Sequence, residues 1–159
     1  MSDSYIRNLH TDPLALNRCD VWRAVSQKNG NKFRYELQEG APSGYVFCWS
    51  PMDSTILQGK VLYVRVTSGV SDVLKRLSVE NATVIARGNE WVAARVPDDN
   101  TGNHTVGVTV GPFVLQERAV YTPEDWEHVY RLYQKNKLVR PFWATPASAL
   151  GYDKRVPLS

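Results

Sequence analysis

Short apolar segments separated by turn signals, with no helical crossover between them, predict a mainly β fold, an antiparallel β-sandwich or barrel of about eight strands. Two further observations support it. Several segments alternate apolar and polar residues with the period of a half-buried strand, as in Phe33, Tyr35 and Leu37 against Arg34 and Glu36. Helical periodicity and capping signals occur together only after Tyr121.

The elements follow in order. Residues 1–20 read as an irregular N-terminal arm, because Asn8, Thr11, Asp12, Pro13 and Asn17 interrupt any period. The β domain is expected over 21–121. Its first hairpin pairs 21–25 with 33–37 around a polar turn containing Asn29-Gly30, a dipeptide that readily adopts positive φ. After Gly40 to Gly44 breaks the chain, 45–49 reads as a buried strand. In 61–67, Leu62, Val64 and Val66 share one face, with Tyr63, Arg65 and Thr67 opposite. Residues 71–78 fit either one helical turn or an irregular strand. A second hairpin joins 82–87 to 91–96 through Gly88-Asn89. His104, Val106, Val108 and Val110 alternate with Thr105, Gly107 and Thr109, and a last strand runs over 113–121.

An amphipathic helix is expected over 122–136. Thr122 suits the N-cap, Pro123 the first helical position, and Glu124 and Asp125 the positive helix start. Trp126, Val129, Tyr130 and Tyr133 form one apolar face. Glu127 and Arg131 pair on the polar side, where His128 is also placed. Residues 137–159 then form an extended C-terminal arm broken by Pro141, Pro146 and Pro157.

The stretch Pro97-Asp98-Asp99-Asn100-Thr101-Gly102-Asn103-His104-Thr105-Val106-Gly107-Val108-Thr109-Val110 resembles the corner and strand entry of immunoglobulin-like domains. His104 stands where that family commonly has a tyrosine. The whole chain also resembles small bacteriophage virion proteins, with a compact β body flanked by ordered arms. That resemblance implies capsid decoration or head–tail or tail assembly.

Composition narrows the function further. With 159 residues, 43% hydrophobic and 22% charged, the chain is long enough for one domain with its own core. The net charge of +3 is unevenly placed: 131–159 carry six basic residues against Asp153 alone. Cys19 and Cys48 do not form a metal or redox motif. His10, His104 and His128 stand apart from any nucleophile pattern, and Asp98-Asp99-Asn100 reads as an acidic turn. No cofactor, no metal and no enzymatic activity is expected. The polar start lacks an apolar signal segment, so free thiols in a reducing cytoplasm are expected. No apolar run is long enough for a membrane span.

Composition and motifs point to a non-enzymatic structural or assembly role, and the resemblance to small bacteriophage virion proteins implies that it is played within a virion made in the host cytoplasm, or otherwise in the cytoplasm. The partners would be other protein subunits, in a homo-oligomer or larger assembly. The partner-binding candidates are Arg140, Phe142, Trp143, Tyr152, Lys154 and Arg155 in the arm, with Trp126 and Tyr130 on the helix. Arg and Trp are enriched at binding hot spots. The alternatives are a nucleic-acid-binding module using the basic aromatic tail, and a carbohydrate- or peptide-binding sandwich using exposed Trp and Tyr. Against all three stands the possibility that these aromatics are the chain's own core.

Overall fold

The computed structural model describes residues 8–10, 12–50, 52, 54–99 and 104–143. Nine strands are found in them, in two antiparallel sheets. The larger joins Ala24–Asn29, Lys32–Leu37, Phe113–Tyr121, Val61–Thr67, Trp91–Arg95 and Thr83–Arg87 in that order, and the smaller joins Asp20–Trp22, Tyr45–Phe47 and Val106–Gly107.

The first hairpin is bent. β1 (Asp20–Trp22) and β2 (Ala24–Asn29) are separated by Arg23, whose φ is 54°. β2 pairs with β3 (Lys32–Leu37) in the large sheet, while β1 pairs with β4 (Tyr45–Phe47) in the small one. The two-residue turn falls on Gly30 and Asn31, since Asn29 pairs with Lys32. Gly44 lies against the bend, where a Cβ would come within 2.5 Å of the Arg23 carbonyl oxygen. One ribbon thus feeds both sheets of the sandwich.

The centre of the large sheet is apolar on both faces. β5 (Val61–Thr67), β7 (Trp91–Arg95) and β9 (Phe113–Tyr121) carry consecutive buried residues, the pattern of strands covered on two sides. One face packs on the small sheet, with Val46 and Val106 meeting Tyr35, Leu62, Val64, Val92 and Ala94. The other face packs Val61, Tyr63, Trp91, Ala93, Ala119 and Tyr121 under α3 (Pro123–Gln134). A bulge sets the faces of β9. Arg65 pairs with Glu117 and Val66 with Leu115, so Gln116 is the extra residue. Leu115 therefore faces the small sheet while Glu117 turns toward the helix side.

The β domain expected over 21–121 does not complete the core by itself. α3 is the third layer. The Thr122 hydroxyl accepts from the Asp125 N–H at 3.1 Å, a cap of about 1 kcal/mol. The helix buries Trp126, Val129 and Leu132, and His128 with them, so His128 is not on the polar side as expected. The remaining short elements are α1 (Ser54–Leu57), α2 (Ser71–Lys75), β6 (Thr83–Arg87) and β8 (Val106–Gly107). The predicted strand from His104 to Val110 is only this β8. The Val108 N–H bonds the Gly44 carbonyl and the chain then turns.

The described part of the N-terminal arm is irregular but inserted. The Leu9 N–H donates to the Val120 carbonyl at 2.8 Å, and the Arg118 N–H to the Pro13 carbonyl at 2.9 Å. The arm takes the β9 positions that β3 leaves, since β3 pairs only with Phe113 to Leu115. Among the described residues no helix is long and apolar enough to cross a membrane.

Candidate functional site

The chain that follows α3 packs on its own sheet. Arg140 Nε and Nη2 donate to the two oxygens of the Glu117 carboxylate at 2.9 and 2.6 Å. The Tyr63 hydroxyl donates to the same carboxylate at 3.0 Å, and Arg65 approaches it at 3.8 Å. This hydrogen bonding to Glu117 pushes the Arg140 pKa up. Burial and the neighbouring carboxylate push the Tyr63 phenol up as well. Phe142 stacks on Tyr63 with centroids 5.4 Å apart. The Trp143 N–H donates to the Tyr121 hydroxyl at 2.8 Å, and its carbonyl accepts from Asn8 Nδ2 at 3.0 Å. Trp126 lies 6.2 Å from Tyr121 and stacks at 5.0 Å on Tyr130.

Arg140, Phe142, Trp143, Trp126 and Tyr130 are thus brought together as part of one internal aromatic layer. The expectation that the chain beyond the helix is free to hold a partner is corrected for residues 138–143. Both faces of the central strands need cover, and these side chains supply it. Tyr152, Lys154 and Arg155 lie outside the described residues.

A second cluster is buried and polar. Arg118, 2% exposed, donates through Nη2 to Asp12 Oδ2 at 2.6 Å, through Nε to the Asp12 carbonyl, and through Nη1 to the Cys48 carbonyl and Cys19 Sγ. The Asp12 N–H donates to His10 Nδ1 at 3.0 Å, so Nε2 carries the ring proton and donates to the Ser50 carbonyl at 3.1 Å. Burial first, and then Arg118, push the His10 pKa down to about 4. Burial pushes both Cys19 and Cys48 thiols up, away from the reactive thiolate. This cluster fastens the N-terminal arm to the core. His104 is buried and shifted down by desolvation, with neither ring nitrogen bonded to a described residue. Among the described residues no group of three or more His, Cys, Asp or Glu could hold a metal ion.

The open side of the molecule offers a different arrangement. The small sheet turns Val21, Val46 and Val106 inward. The alternation therefore puts Trp22, Tyr45 and Phe47 on the outer face. Register sets Trp22 opposite Tyr45, and the two rings stack at 5.7 Å and 17°. The Arg23 guanidinium carbon lies 4.5 Å from the centre of the Trp22 ring. Trp22 is 44% exposed, whereas Trp49, Trp91 and Trp126 are buried. Beside these rings lie Glu80, Asn81 and Thr105. The Thr105 hydroxyl donates to Glu80 Oε2 at 3.2 Å, and the Glu80 N–H to the Thr105 carbonyl at 3.0 Å. The six residues line an open cleft of about 360 Å³, near the lower end of small-ligand sites.

No family model, curated protein or solved structure matches the chain. The cleft therefore has to be read from its own chemistry: ring surface on one side, a tethered carboxylate, an amide and a hydroxyl on the other. Such a surface can hold a group that is apolar or cationic toward the rings and hydrogen-bonding toward the rim. The sequence reading missed all six lining residues as a site. Strand alternation could have pointed Trp22 and Tyr45 outward; only the sheet register reveals that they meet.

Proposed function

We propose that this chain is a non-enzymatic recognition domain that binds a carbohydrate or peptide on the outer face of its small sheet. The observation that carries the reading is the stack of exposed Trp22 on half-buried Tyr45 beside Glu80, Asn81 and Thr105. Exposed aromatics grouped with polar side chains characterise interaction surfaces. The non-enzymatic half is supported by a histidine fixed in its neutral tautomer and by thiols held protonated through burial. An immunoglobulin-like kinship of the sandwich belongs to the same proposal and does not affect the cleft.

The virion-assembly and nucleic-acid readings drew on Arg140, Phe142 and Trp143, which are engaged internally. Of their candidate residues in the C-terminal arm, Tyr152, Lys154 and Arg155 lie outside the described residues. The test is a panel of neutral and charged glycans and short peptides titrated into 15N-labelled protein. A saturable shift of the Trp22 indole N–H, lost in Trp22→Ala, supports recognition at the cleft. A panel in which no member moves that signal contradicts it.

A further inference from the structure

The rings of the cleft are accompanied by acid. Glu80 stands on its rim, held by a side-chain bond from Thr105 and by its own backbone N–H. That double tether fixes the carboxylate at the cleft wall. Asp20 pairs in register with Phe47, and paired residues point to the same face, so a second carboxylate adjoins the third ring. Neither Asp20 nor Glu80 has a described basic side chain within 4.0 Å, although six other ion pairs join described residues. The ring faces carry the negative end of the aromatic quadrupole. Trp22 already accepts one guanidinium, that of Arg23, at 4.5 Å. With Tyr45 stacked on Trp22 and the Arg23 guanidinium over the same ring, the ring surface left to a ligand is that of Tyr45 and Phe47, beside the Glu80 carboxylate.

The geometry points to a cationic side chain of a partner peptide, arginine first, as the occupant of this cleft. The guanidinium lies against the exposed aromatic surface and pairs with the Glu80 carboxylate, with Asp20 adding long-range attraction. Arginine fits better than lysine because its planar, weakly hydrated group stacks on rings and meets a carboxylate in two places. The inference rests on the recognition reading and narrows its ligand class. A neutral sugar would also use the rings, but would take no advantage of the two carboxylates as charges.

The experiment titrates acetyl-Gly-Arg-Arg-Gly-amide into the full chain, following the Trp22 indole N–H by NMR. Its citrulline analogue and a neutral oligosaccharide, chitohexaose, run beside it. The arginine peptide is expected to bind at least tenfold more tightly than the citrulline peptide. Glu80→Gln is expected to weaken it about fivefold, and a rise in salt to weaken it further. Glu80→Gln removes only the charge of an exposed residue, so its fold is retained and its thermal unfolding serves as the control. Equal affinity for the two peptides overturns the cationic assignment. Chitohexaose shifting Trp22 while the arginine peptide does not overturns it too, but leaves the recognition reading standing. Silence from all three probes and from the wider panel overturns both.

Discussion

Arg140→Ala tests the docking of the chain beyond the helix. Glu117 is buried, with its side chain 8% exposed, and its carboxylate takes two charge-assisted bonds from Arg140. Removing the guanidinium leaves the carboxylate with the Tyr63 hydroxyl and Arg65 at 3.8 Å. Breaking a fully buried pair costs about 3–5 kcal/mol. Arg140 is 33% exposed, so water can replace part of the lost contact, and about 2–3 kcal/mol is expected here. For a domain of this size, that lowers the melting temperature by about 4–12 °C. The assay is urea unfolding at pH 7 on the wild type, Arg140→Ala, Glu117→Gln and the double variant. The double variant should cost less than the two singles together, with a coupling of about 1.5 kcal/mol or more. A loss for Arg140→Ala within about 0.5 kcal/mol, with no coupling, would refute the reasoning and free the segment from the sheet.

Deleting residues 138–159 removes Leu138, Phe142 and Trp143 from the aromatic layer as well as Arg140. It should destabilise the domain by at least about 4 kcal/mol, and a melting temperature within 3 °C of wild type, by about the same scaling, speaks against that packing. Stability should also fall with acid through His10. Its pKa is 6.5 unfolded and about 4 folded, so between those values the unfolded chain binds the proton and the folded chain does not. The contribution is fully present above pH 6.5 and is lost as pH falls toward 4, by up to about 3 kcal/mol. Urea midpoints measured across that window should show a shallower slope in His10→Gln than in wild type. The remaining slope includes His104, which is shifted the same way; identical slopes contradict the assignment. Gly88→Ala should cost about 1–3 kcal/mol by calorimetry. The new Cβ would lie 2.1 Å from Trp91 Nε1, and a neutral result would mean that the indole does not rest there.

The fold was legible wherever the determining signals are local. Thr122 and Pro123 start the helix, glycines 30 and 88 mark two hairpins, and Phe113 to Tyr121 is a strand, although the second loop falls on Asn89 and Glu90 rather than Gly88 and Asn89, since the Gly88 N–H bonds the Trp91 carbonyl. Long-range packing was not legible. Val61 to Val66 reads as a strand with one buried face, yet Tyr63 and Val61 are buried too, under residues that arrive only after position 125. The Gln116 bulge turns Glu117 toward Arg140, and nothing in the run from Phe113 to Tyr121 marks it. The aromatic tail looked free because its role depends on that second face. The cleft was not read from the sequence: 45–49 reads as one buried strand, whereas β4 ends at Phe47 with Tyr45 and Phe47 half-buried on the outer face, and the meeting of Trp22 with Tyr45 depends on the ribbon bend at Arg23.

The most direct test of the account compares two tryptophan signals in one spectrum. Indole N–H resonances of Trp22 and Trp143 are followed as a ligand from the glycan and peptide panel is titrated to saturation. The account predicts that Trp22 shifts with the binding curve while Trp143, packed beside Tyr121 and Asn8, holds its position. A Trp143 signal that follows binding while Trp22 stays still would place recognition on the tail and contradict the account.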